Sequence, residues 1–255
     1  MQDPTKLVII ILTAMFTHTF GAAQAECRDL LDSGDILYSK FNNGRALDLY
    51  RRAHSQCPDT YEALMKMTRA YIDVGQEATT GRRESFFVKG LRFADTLRIR
   101  YPDSSQAYFL TAVAAGNLCR VRKGTRKVAL VRIVERNVSK AIKLDPDFAP
   151  AYVVLGLYYR EIAIANPLLK ILARLLLGGI PKGTLKDSEQ AFQQALALSP
   201  NNIFALLEIA RTDLLMGKKG EAIKHLKQSQ NFNPSWYMDG KLKQESERLL
   251  KTLTP

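Results

Sequence analysis

Lys143-Leu144-Asp145-Pro146-Asp147 closes a phrase that the 255-residue chain repeats with variation. The other endings are Ser55-Gln56-Cys57-Pro58-Asp59, Ile99-Arg100-Tyr101-Pro102-Asp103, Ala197-Leu198-Ser199-Pro200-Asn201 and Asn231-Phe232-Asn233-Pro234-Ser235. Their prolines are spaced by 44, 44, 54 and 34 residues. A proline pushes the residue before it out of helical geometry, so each one marks the end of a helical unit. A fixed phrase at such intervals is the mark of an array of like units.

The residues within each phrase resemble the tetratricopeptide repeat (TPR) family, whose period is about 34 residues. The first unit supplies Gly34, Leu37, Ala46, Tyr50, Ala53 and Pro58, and the last supplies Ala210, Ala222, Leu226, Ser229 and Pro234. The fourth gives Tyr152, Leu155, Gly156 and Tyr159, then after an insertion Phe192, Ala195 and Pro200. Small residues let two antiparallel helices approach, and large ones fill the gap to the next pair. The reading is an all-α, right-handed TPR-like superhelical solenoid of about five hairpins. They occupy about 27–60, 61–104, 105–148, 149–202 and 203–236, with a capping helix at 236–253. Units two to four exceed the standard length, and the surplus is expected between their two helices. Met238, Leu242, Leu249 and Leu253 give the final helix an apolar face.

Composition agrees with a folded chain: 46% of residues are hydrophobic and 24% charged, which excludes disorder, collagen and a multispanning membrane protein. The net charge of +12 directs attention to acidic partners. Residues 1–25 read as a secretory signal peptide: Lys6, an apolar run from Leu7 to Phe20, then Gly21-Ala22-Ala23-Gln24-Ala25. Cleavage after Ala25 would leave the solenoid, 26–255, in the periplasm or outside the cell. An uncleaved N-terminal membrane anchor is the alternative. Cys27 and Cys57 fall at neighbouring ends of the first hairpin, where a disulfide suits an exported protein and two unpaired buried thiols are the other reading. Cys119 reads as a small core residue.

The chain shows no HExxH, no CxxC and no serine elbow, and Gly178 to Thr184 lacks the Gly-Lys-Ser/Thr ending of a phosphate loop. That stretch reads instead as a helix stop at Gly178 and Gly179, with a start at Thr184 and a capping-box partner at Asp187. No catalytic residue, metal ligand or cofactor is expected, and the chain reads as a non-enzymatic binding protein.

Three features carry binding potential. Between Arg120 and Lys143 nine basic residues face one acid, Glu135. Arg132, Arg136, Lys140 and Lys143 recur there at helical spacing as an exposed stripe, suited to an acidic protein face or anionic lipid, or simply solvated. Leu168, Leu169, Leu172, Leu175 and Leu176 form a broad apolar face that packs on the solenoid, joins two subunits or touches a membrane surface. Repeat register turns Arg69, Phe109, Val113, Asn117, Arg160, Phe204 and Arg211 toward a concave hollow, a setting for a peptide or a small organic acid. Nucleic acid is not an expected partner, because aromatic interleaving is absent.

From Tyr108 to Pro200 the chain also resembles the helical T-components (TatT) of TRAP transporters, together with the related regulator of microtubule dynamics proteins. The shared features are the Leu144 to Asp147 turn, the leucine-rich segment and the Gly-Gly-x-Pro phrase at Gly178 to Pro181. That resemblance implies an exported solenoid, single or as a homo-oligomer, that contacts a periplasmic substrate-binding protein and helps deliver an organic acid ligand. A cell-envelope assembly scaffold and a membrane-associated TPR adaptor are the alternatives.

Overall fold

The computed structural model describes residues 24–58, 60–179 and 181–254. The apolar run of the expected signal peptide lies outside them. Among the described residues there are twelve helices and no strand: α1 (24–39), α2 (Asn43–Gln56), α3 (Tyr61–Glu77), α4 (Thr80–Arg100), α5 (Ser105–Val121), α6 (Gly124–Leu144), α7 (Ala149–Ala163), α8 (Pro167–Leu177), α9 (Leu185–Leu198), α10 (Ile203–Leu215), α11 (Lys219–Gln230) and α12 (Asp239–Leu253). Pro58, Pro102, Pro146, Pro200 and Pro234 each fall between helices. The chain divides into two compact units between Phe93 and Ala94, inside α4.

Three hairpins close by setting a glycine of one helix against a ring of its partner helix. In the N-terminal unit Gly34 lies under Tyr50, and a Cβ on Gly75 would stand 2.5 Å from the Phe87 ring. In the C-terminal unit the same substitution at Gly156 would come within 2.8 Å of Phe192. Tyr50, Phe87 and Phe192 are all buried. At such separations any side chain must displace the ring or the helix, so the glycines set the interhelical distance.

Cys27 and Cys57 are joined by a disulfide across the first hairpin, with their Cα atoms 6.2 Å apart.

The additional residues of units two and three are not placed where the spacing suggested. α3 and α5 have 17 residues each, and α4 and α6 have 21, against 13 and 12 for α10 and α11. The connections are short, Ala78-Thr79 and Arg122-Lys123. Lengthening a helix keeps every added backbone group hydrogen-bonded, whereas a loop of the same length would leave those groups to solvent.

Unit four differs. α7 packs directly on α9, while the intervening α8 leaves the pair and packs on α6. Asn166 caps α8 by accepting a hydrogen bond from the Leu169 N–H at 2.9 Å, and Pro167 opens the helix. Gly178 ends it with φ +71, a left-handed conformation that favours glycine. Thr184 and Asp187 then form a reciprocal capping box on α9, with bonds of 3.1 and 2.9 Å.

α12 covers the end of the array. Leu242 is buried with Ile203, Leu207, Ala210, Ala222 and Leu226, and Met238, Leu249, Leu250 and Leu253 pack around them. Lys243 donates to the carbonyls of Gln230 and Phe232 at 2.9 and 2.8 Å, which satisfies the orphan acceptors at the end of α11.

Candidate partner-binding surfaces

The residues expected to face a hollow are largely engaged within the protein. Arg160 on α7 is 9% exposed; its guanidinium donates to the Glu208 carboxylate and, at 2.9 Å, to the Glu208 carbonyl on α10. Arg211 pairs with the same Glu208 and with Glu245 on α12. The result is a chain of alternating charge across α7, α10 and α12. Burying an ion costs several kcal/mol unless an opposite charge and hydrogen bonds compensate it, and here each arginine is matched. Two of the arginines expected to face the hollow are thus held by internal carboxylates, Arg160 by Glu208 and Arg211 by Glu208 and Glu245.

The aromatic members are packed as well. Phe109 meets Phe148 edge-on at 5.1 Å, and Phe204 lies 6.1 Å from Trp236. Asn117 is 9% exposed and donates to the Val113 carbonyl of its own helix at 3.0 Å, while Val113 is half-buried.

In the N-terminal unit the Arg69 guanidinium stacks 4.0 Å from the centre of the Tyr38 ring. Tyr38 donates to Asp73 at 2.7 Å, and Tyr50 donates to Asp35 at 2.7 Å. Lys66 joins Asp35 and, at 2.8 Å, Glu62. Burial, then the neighbouring Asp73, push the Tyr38 hydroxyl well above its ordinary range. Burial also raises Tyr50, with its bond to Asp35 adding to it. For Lys66 desolvation acts downward, yet the bonds to Asp35 and Glu62 leave it raised. These tyrosines stay neutral and the lysine charged, so the seam ties α1, α2 and α3 together.

Asp35, Asp73, Glu208 and Glu245 were absent from the sequence-derived set. Glu208 and Arg211 stand one helical turn apart, and that spacing was the available clue.

The basic stripe is exposed. Arg132, Arg136 and Lys143 are open to solvent on α6, whereas Lys140 is half-buried with its ammonium 5.8 Å from the Tyr108 ring centre. Glu135 is the sole acid of this 21-residue helix.

The apolar face divides in two. Leu169 and Leu172 are half-buried, but Leu168, Leu175 and Leu176 are 64%, 75% and 52% exposed. Ile164 and Ile171, outside the expected set, are also exposed. The opposite side of α8 buries Ala173.

With this geometry established, comparison with known proteins places the chain. The model of the family described as Regulator of microtubule dynamics protein 1-3 matches residues 30–254. The chain belongs to that family. Regulator of microtubule dynamics protein 1 of Bos taurus is 23% identical over 245 residues, covering 95% of this chain and 76% of the relative. Regulator of microtubule dynamics protein 3 of Mus musculus is 25% identical over 189 residues, covering 73% of this chain and 40% of the relative. Among solved structures, a thermophilic TPR protein of Thermus thermophilus, TTC0263, superposes with a TM-score of 0.68 at 22% identity. The match covers 88% of this chain and 99% of that one, and at such identity it shows the fold alone. The TPR resemblance and the microtubule-regulator resemblance stand on these matches; the TRAP T-component resemblance has no support from them.

Proposed function

We propose that this family member is an exported, non-enzymatic helical-repeat scaffold that docks an acidic protein face on the α6 stripe. The observation that carries the reading is the exposed row of Arg132, Arg136 and Lys143 on a helix whose one acid is Glu135. Clustered cations steer and orient an acidic partner. The Cys27 to Cys57 bridge supports export, because disulfides persist in oxidising compartments. An accessory role beside a transporter's substrate-binding protein is the narrower form of this reading, and adjacent genes for such a protein and a membrane permease are the observation that would support it.

The test places a photo-crosslinking residue at Arg136 in cells that produce the protein. A crosslinked acidic partner that disappears on Arg132→Glu with Lys143→Glu supports the proposal. Crosslinking that survives the reversal, or the absence of any crosslinked partner, overturns it. Mass spectrometry of the same material reads its address: an N-terminus at Glu26 with bridged Cys27 and Cys57 fits export. An intact Met1 with free thiols fits the second reading, an adaptor acting on microtubules as the relatives' name describes, on the strength of the same cationic stripe.

A further inference from the structure

We propose that the exposed face of α8 docks on the surface of an anionic lipid bilayer. Leu168, Ile171 and Leu175 follow one another at helical spacing, and all three are more than half exposed. Leu176 borders them, forming the wall of a groove whose other side is Thr125, Arg126 and Ala129 of α6. Arg174 is exposed beside Ile171 on one side of the row, and the half-buried Lys170 lies one turn before it on that same side. α8 has no carboxylate.

An apolar row with a cationic edge is the pattern an interfacial helix presents: the row enters the acyl boundary while Arg174, and Lys170 by extending its long side chain, meet headgroup phosphates. Length excludes a crossing. An 11-residue helix reaches about 16 Å, against a hydrocarbon core of about 30 Å, and no helix of the described residues is long and apolar enough to span one.

A second copy of the chain suits the face less well. A two-fold contact would bring the Lys170, Arg174 and Arg126 set of one copy toward the same cationic set of the other, with no acid on α8 to separate them. The nearby Glu161 already faces Lys127 at 4.0 Å. Negative headgroups instead attract all of these cations.

The test uses the protein as purified from the producing cell, with vesicles of phosphatidylcholine mixed with phosphatidylglycerol and vesicles of phosphatidylcholine alone. Leu175→Trp adds an indole on the row, and Trp236 serves as the internal reference. Brominated lipid quenches the added indole in the mixed vesicles and leaves Trp236 unchanged. Binding falls roughly ten-fold in Leu168→Gln with Leu175→Gln, and in phosphatidylcholine alone. This readout is local to α8, so neither an N-terminal anchor nor the α6 stripe can produce it. Three outcomes overturn the proposal: no quenching of the added indole; equal binding of the glutamine variant; or an indole shielded before vesicles are added, which would mean that a second copy or another part of the chain covers the face.

Discussion

α8 and α12 both carry leucine rows beside lysine and arginine, yet one row is covered and the other is not. Leu242 of α12 is 6% exposed and Leu175 of α8 is 75% exposed. The difference follows the acids. α12 brings Glu245 to Arg211 and Asp239 to the backbone N–H groups of Ser235 and Trp236, both at 2.8 Å. α8 brings no acid and is anchored by its caps and its contact with α6. An apolar row shows that a helix wants cover; complementary charges show where the chain supplies it.

Removing Glu208, the α10 carboxylate that holds α12's partner Arg211, is the most severe way to break this contrast. Glu208→Ala strips both Arg160 and Arg211 of a buried partner, and should destabilise the fold by about 3–5 kcal/mol in chemical denaturation. Leu242→Ala removes the covered leucine and should cost about 2–4 kcal/mol, read the same way. A smaller effect tests the Cys119 thiol, which burial pushes up to about 12, with Lys127 opposing and Glu161 adding to the shift. The unfolded thiol releases its proton near 9 while the folded one holds it. Stability from this group is therefore complete below about pH 9 and declines as pH rises toward about 12. Thiol-reagent kinetics at about pH 8 should show Cys119 reacting far more slowly in the folded chain than in denaturant. Smallest of all, Leu175→Ala should change stability by less than about 0.5 kcal/mol, and a larger loss would mean that the row is covered after all.

The array was legible because each hairpin ends on the same proline phrase and pairs a small residue with a ring, as Gly34 with Tyr50 and, across the inserted α8, Gly156 with Phe192 show. The caps at Thr184 and Gly178 were legible for the same local reason. The extra length of units two and three was not, since a spacing of 44 residues is the same whether helix or loop supplies the surplus. The pairing of Arg160 with Glu208 was not legible either. Its carboxylate lies 48 residues away, and repeat register says where a long side chain starts, not which acid reaches it.

In unit four α7 closes on α9 without help from the helix between them, so the excursion through α8 is a graft on a finished hairpin. The exposed side chains of α8 can therefore be changed while the α7 and α9 joint beneath keeps its packing.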